Sequence, residues 1–187
     1  MPSSGLLHFE IDADGLDQLV MDLGATEKQV KFALHRALVR TATTLRTMAA
    51  RKLKDELSLR VINLLRKRMK SLKMRITNGD GFTLWFGLND MPVSWFKGKP
   101  KQDASGASFR GQSWDKGFVA KSKFKNRATV FKRNGDARLH ITEQLLAIGD
   151  RAQIAIEDKI FVQTESIFWQ HFERDLRARV NYQLGSA

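Results

Sequence analysis

Thr26 and Gln29 stand in the spacing of a capping box, in which each side chain satisfies a free amide of a helix's first turn. A long helix over roughly residues 27–57 is predicted to follow. Val30, Leu34, Ala37, Leu38, Thr41, Leu45, Met48 and Lys52 fall on one stripe at helical spacing, while Arg36, Arg40, Arg46, Arg51 and Lys54 lie largely away from its centre. Such a helix is about 45 Å long. It must bury its apolar face along other elements of the same 187-residue chain, which is long enough for one domain with a real core.

The flanking segments supply those elements. Leu7-His8-Phe9-Glu10-Ile11 alternates as a half-buried strand, and Asp14 opens a short helix with Leu16, Leu19, Val20 and Leu23, closed by Gly24. Ser58 is placed to cap a further helix over about 59–72. Phe82–Leu88 is aromatic and β-prone between turn-forming flanks, and Val93–Phe96 is expected to extend that sheet after Pro92. Phe118–Ala120 and Ala128–Phe131 read as strands, with a turn at Asn134-Gly135 before Arg138–Ile141. Asp150 is placed to cap a final helix carrying Ile156, Ile160, Thr164, Ile167, Phe168, His171 and Leu176 on one face, with Gly185 beyond its end. The fold class predicted is α+β in a single domain, residues 1–187. Long amphipathic helices at both ends pack on a central, mostly antiparallel β-sheet with a long basic loop.

Charge is distributed unevenly. Residues 1–24 hold five acids and no Lys or Arg; residues 25–138 hold 27 bases against 8 acids; residues 139–187 hold 7 acids and 5 bases. Such asymmetry points to an anionic partner for the middle of the chain, either nucleic acid or an acidic protein surface. The plainer alternative is a solvated basic surface with no specific partner. From Arg60 to Arg75 there are seven bases and no acid. No apolar run approaches the ~18 residues that span a membrane, and Met1–Gly5 lacks the basic start of a signal peptide. Synthesis in the cytosol and no membrane partner are expected. The absence of cysteine removes disulfides, thiolate ligands and a thiol nucleophile.

Catalytic patterns are not evident. His8, His35, His140 and His171 are far apart and in no metal-binding spacing. Gly106–Ser113 has the outer spacing of a phosphate loop but lacks its lysine, and reads as a flexible glycine loop. Ser113 is not in a nucleophile elbow, and the adjacent Glu157 and Asp158 cannot face one another on a helix. No cofactor and no metal are called for, and no enzyme activity is expected. What stands out is a mixture of aromatics with twelve Lys and Arg between residues 97 and 138. Aromatics beside cations suit single-stranded nucleic acid or a protein interface. Trp85 and Phe131 are expected in the sheet core. Trp95, Phe109, Arg110, Trp114 and Phe118 are the interface candidates of this region, and Arg66, Lys67, Arg68 and Lys70 those of the basic helix. Residues 97–127 are polar enough to predict an extended arm, ordered only against a neighbour. The alternative is an ordinary hairpin folded back on its own sheet.

The order of features resembles the minor tail protein Z family of phages and prophages, and more loosely other siphophage tail-completion proteins. The carrying segments are Ala33-Leu-His-Arg-Ala-Leu-Val-Arg-Thr-Ala42, Leu64-Leu-Arg-Lys-Arg-Met69 and Leu84-Trp-Phe-Gly-Leu-Asn-Asp-Met-Pro-Val-Ser-Trp-Phe-Lys97. They continue with Arg110-Gly-Gln-Ser-Trp-Asp-Lys-Gly-Phe-Val-Ala120, Val130-Phe-Lys-Arg133 and Phe172-Glu-Arg-Asp-Leu-Arg177, over about residues 27–180. The resemblance implies a structural virion protein made in the host cytoplasm, acting in tail completion or head–tail joining at the head-proximal end of the tail. It further implies a homo-oligomeric ring, with the tail tube, tail terminator and connector proteins as partners and DNA contact left open. The rival reading is a free, phage-encoded nucleic-acid-binding protein using the basic 60–138 region. Against it, the 60–75 helix mixes its apolar residues among the bases, and no helix-turn-helix or zinc spacing is evident.

Overall fold

From the N-terminus the chain forms strand β1 (Ser4–Glu10), helix α1 (Ala13–Leu23), helix α2 (Glu27–Glu56) and helix α3 (Ile62–Arg68). Strands β2 (Met74–Thr77), β3 (Gly81–Gly87) and β4 (Met91–Pro92) precede a 3-10 turn, Val93–Trp95. There follow β5 (Lys101–Gln102), β6 (Gly106–Phe109), β7 (Gln112–Asp115), β8 (Phe118–Lys121), β9 (Ala128–Arg133), β10 (Ile141–Glu143) and β11 (Leu145–Leu146). Helix α4 (Gly149–Lys159), a 3-10 turn (Phe161–Gln163) and α5 (Thr164–Asn181) complete the chain. This computed structural model describes residues 4–68, 74–77, 81–87, 89–122, 127–135 and 140–184, with side chains for all of these except 4–10, 13, 64, 67, 68, 74–77 and 81–87.

The architecture is mixed α+β, as expected, with helices at both ends packing on antiparallel sheets. The strands form several small sheets. Three have the orders β1-β3-β2, β10-β9-β8 and β5-β6-β7, and a fourth pairs β11 with β4. The expected capping box is present: Thr26 Oγ1 accepts from the Gln29 amide, and Gln29 Oε1 accepts from the Thr26 amide. The most extensive helix packing is α2 on α5. α2 buries mainly small residues along its length, Ala33, Ala37, Ala42, Ala49 and Ala50, together with Leu38, Leu45 and Leu53. Small side chains on one helix leave room for large ones on the other. Phe168 and Phe172 of α5 are fully buried and stack with centroids 5.8 Å apart. Each buried ring of this kind contributes about 1.5–3 kcal/mol. Val30, Leu34 and Met48, expected at the centre of the stripe, flank it half-buried, and Lys52 is exposed.

Three helices end alike. Gly24, Ser58 and Gln183 take left-handed φ values of 61°, 47° and 51°. The amide of each reaches back three residues and the next amide five, to Val20, Lys54 and Arg179 respectively. This is the Schellman closure, which satisfies carbonyls left free at a helix terminus. Ser58 therefore closes α2; it does not cap the following helix, which starts only at Ile62. Leu59 instead forms a bridge to Phe96.

The expected single C-terminal helix is two. Ile156, Ile160, Thr164, Phe168, Phe172 and Leu176 recur every four residues, and each such step turns about 40° around an α-helix. Across five steps the stripe would rotate by roughly 200°, so a straight helix could not bury both ends on α2. The 3-10 turn at Phe161–Gln163 resets the phase, and both α4 and α5 then lie on α2. Asp150 lies in the first turn of α4 and makes no cap; the N-cap is Ile148. Val93–Phe96 forms a 3-10 turn and a bridge rather than extending a strand.

The largest correction concerns residues 97–127. The described part, 97–122 and Arg127, takes the alternative reading: it is folded back on the body. β5, β6 and β7 form an antiparallel meander, and β8 pairs with β9. Arg110 and Gly111, with φ 51° and 84°, make the two-residue turn between β6 and β7, the geometry favoured by the twist of a hairpin. Gly106–Ser113 is thus a hairpin and not a flexible loop. The glycines serve close packing. A Cβ on Gly106 would lie 2.3 Å from the Trp114 carbonyl oxygen, and one on Gly117 would lie 2.7 Å from it.

Candidate interaction surfaces

The interface candidates of the sequence fall into three groups. Phe109 and Trp114 are buried and Phe118 is half-buried, stacked on Phe131 at 6.0 Å. These aromatics hold the β5–β7 meander and β8 to the body, so their rings are not a free docking surface. Trp114 alternates with exposed Ser113 and Asp115 because each second side chain of a strand faces the core. Trp95 is half-buried in the 3-10 turn. Arg66 is exposed on α3; the side chains of Lys67 and Arg68, and Lys70 altogether, lie outside the described residues, as does the Trp85 side chain.

Arg110 has a structural task. Its guanidinium donates to the Leu57 carbonyl at 2.7 Å and to the Lys97 carbonyl at 3.0 Å, and lies 5.3 Å from the ring centroids of both Phe96 and Phe109. Arg60 acts in parallel, donating to the carbonyls of Phe96 at 2.6 Å and Gly98 at 2.8 Å. The two arginines tie the 57–60 backbone to the 96–98 backbone, Arg60 from its own segment and Arg110 from the β6–β7 turn. Burial and the nearby Arg151 push the Arg110 pKa below its ordinary value. Charge-assisted bonds to carbonyls satisfy these cations without a carboxylate, so the clasp neutralises none of the surrounding positive charge.

A second cationic region is the seam of α2 and α5. Asp175, buried on α5, meets Arg36 at 3.4 Å, Arg40 at 3.6 Å and Arg179 at 2.7 Å. One carboxylate thus faces three guanidiniums. Arg179 also lies over the Phe32 ring at 5.4 Å, and its carbonyl accepts from Gln29 Nε2. A third region is a cavity of about 590 Å3 lined by Asp115, Lys116, Lys132, Arg133 and Gly135. Among the described residues it combines three cations with one carboxylate, between the turn after β7 and the end of β9.

His171 borders the arginine seam. Its Nδ1 accepts from Arg174 at 3.3 Å, which leaves the proton on Nε2 to donate to Thr44 Oγ1 at 3.2 Å. Burial, Arg174 and Arg40 all push its pKa below the ordinary value. A histidine whose folded pKa is depressed gives stability that is complete above the unfolded value, about 6.5. That stability is lost as pH falls through the window below it. The melting temperature should therefore drop modestly on acidification below about pH 6.5, and His171→Gln should flatten that part of the profile. An unchanged slope in the variant would show that other groups carry it.

Sequence reading placed Arg36 and Arg40 off the apolar centre of α2 but did not find their partner. The available signal was Asp175 itself, an acid four residues before Arg179 and wedged between the core residues Phe172 and Leu176. Arg60 carries no sequence mark, because its acceptors are backbone carbonyls. Among the described residues no group of three or more His, Asp or Glu is placed to hold a metal ion, and no helix is long and apolar enough to cross a membrane. No family model, curated protein or solved structure matches this chain.

Proposed function

We propose that this chain is a structural virion protein of a tailed phage, acting in tail completion or head–tail joining at the head-proximal end of the tail. The observation that carries the reading is an excess of cations over acids, among the described residues, at a cavity and at a helix seam. Among the described residues, Lys116, Lys132 and Arg133 line one cavity beside Asp115, and the α2–α5 seam sets three arginines on one carboxylate. Positive charge held this way costs self-repulsion and serves association with an anionic partner. The resemblance to the minor tail protein Z family supplies the biological setting, with tail tube, terminator and connector proteins as partners.

Complementation tests it. In a phage whose own copy is deleted, a variant with Lys116→Gln, Lys132→Gln and Arg133→Gln should keep its melting temperature within about 2 °C, since Lys116 and Arg133 are exposed and Lys132 is only half-buried. Yield of joined, infectious particles should fall at least tenfold, with free heads and tails accumulating. Normal particle yield would remove the proposal. The rival nucleic-acid reading is favoured only by the same cavity. It requires the wild-type chain alone to bind DNA with a steep salt dependence that the variant loses.

A further inference from the structure

We propose that the guanidinium groups of Arg110 and Arg151 form a binding site for a phosphate group. Gln112 brings their two segments together: its Nε2 donates to the Leu145 carbonyl and its Oε1 accepts from the Ala147 amide, both at 3.4 Å. The β6–β7 turn that carries Arg110 is thereby tied to the chain entering α4, which carries Arg151 in its first turn. Burial and the charge of Arg151 both hold the Arg110 pKa below its ordinary value, so the two cations lie within electrostatic reach. Among the described residues neither arginine forms an ion pair. The acids nearest to them along the chain, Asp55 and Asp150, are exposed and pair with neither. Arg60 and the exposed Lys97 add positive charge beside the same backbone that Arg110 holds.

The fold gains nothing from Arg151. Its side chain is exposed, the first turn of a helix disfavours a cation, and Arg110 repels it. Arg110, in contrast, is preorganised. Two carbonyls fix its guanidinium, which lies 5.3 Å from the ring centroids of Phe96 and Phe109. A cation ordered in advance adds little entropy cost to binding. The carbonyls take two of the N–H bonds of Arg110 and cancel none of its charge; its other donors, and all those of Arg151, have no partner among the described residues. Such an excess of donors and charge suits a ligand with several acceptor oxygens and more than a single charge. A phosphate group supplies three oxygens and roughly −1.5 to −2 charge, where a carboxylate supplies fewer of both, and guanidinium forks match its geometry. The proposal uses none of the cations of the 590 Å3 cavity and does not depend on the tail reading.

Thermal denaturation of the purified full chain tests it, in about 20 mM inorganic phosphate against chloride of equal ionic strength. With a dissociation constant of about 1 mM, phosphate should raise the melting temperature by about 3–7 °C. Phosphate also stabilises proteins generally, by exclusion from their surfaces, so Arg151→Gln supplies the baseline. That variant should melt no lower than wild type in chloride and lose most of the phosphate shift. Arg151→Glu should melt about 1–4 °C above wild type in chloride, because its carboxylate suits both Arg110 and the helix dipole, and should show the baseline shift only. A phosphodiester presents the same group, so a short oligothymidylate forms the second arm. An Arg151-dependent shift with the oligonucleotide assigns nucleic acid as the source of the phosphate; one with inorganic phosphate alone assigns a free phosphorylated ligand. Equal shifts in wild type and Arg151→Gln in both arms would overturn the proposal. So would a loss of several degrees by Arg151→Gln in chloride, since Arg151 would then serve the fold. Phosphate binding is read on the purified chain, so its failure leaves the tail reading standing; lost particle joining bears on that reading alone.

Discussion

Gly106→Ala is expected to lower stability by about 3–4 kcal/mol and the melting temperature by roughly 6–12 °C. The added methyl would meet backbone, not a side chain that can swing away. It would lie 2.3 Å from the Trp114 carbonyl oxygen and 3.1 Å from the Lys116 nitrogen. Relief requires β6 to move off β7, which would open the Ala107↔Trp114 pairing and lift Phe109 and Trp114 from the core. Gly111→Ala is the control. Gly111 has φ 84° but no atom within 4 Å of a Cβ, so only conformational strain of about 1–2 kcal/mol applies. Thermal denaturation of the two variants separates the causes: equal losses would show that close approach does not fix Gly106.

That contrast explains why the 97–122 region was the part least legible in the sequence. Gly106, Gly111 and Gly117 read as chain flexibility, but Gly106 and Gly117 are there because two backbone segments approach too closely for a side chain. Composition cannot distinguish the two uses. A usable signal was present: Ala107 and Phe109 alternate with Ser108, and Arg110-Gly111 can adopt left-handed conformations at both positions of a tight hairpin turn. It was outweighed by the run of lysines, whose charged ends remain exposed while the strand buries its other face.

Local periodicity explains the opposite outcome elsewhere. The boundaries of α2 and α1 were legible because capping box, stripe and left-handed Gly24 all act within a few residues of one another. The division of α4 from α5 was not marked by Pro or Gly. It follows from the accumulated rotation of an every-fourth-residue stripe, which matters only once α2 is known to lie beneath both halves. The cationic surfaces were legible as a charge imbalance, but their positions were not. Arg60 and Arg110 are spent on backbone carbonyls, whereas Lys116, Lys132 and Arg133 are brought to one cavity by strand pairing between distant segments.

Asp175→Ala should be the most costly loss of a charged side chain, about 2–4 kcal/mol and roughly 5–10 °C in melting temperature. The packing of α5 on α2 brings Arg36 and Arg40 beside a helix that already carries Arg174, Arg177 and Arg179. The other nearby acid, Glu173, is engaged by Arg177 at 2.6 Å. Among the described residues, Asp175 is the acid that pairs arginines of both helices, with its side chain only 7% exposed. Without it, Arg179, itself 15% exposed, is left with a desolvated charge and no acceptor at 2.7 Å, while Arg36 and Arg40 repel it. The three cations do not contribute equally. Arg40 reaches Asp175 at 3.6 Å from a more solvated position, so Arg40→Gln should cost under about 1 kcal/mol. Asp175→Asn, which keeps an acceptor for Arg179 but no charge, should fall between the two. Urea denaturation of the three variants checks this order. If Asp175→Ala costs no more than Arg40→Gln, then apolar packing of Phe168 and Phe172 sustains the seam unaided, and the arginines of α2 are as solvated as the lysines of the 97–121 strands.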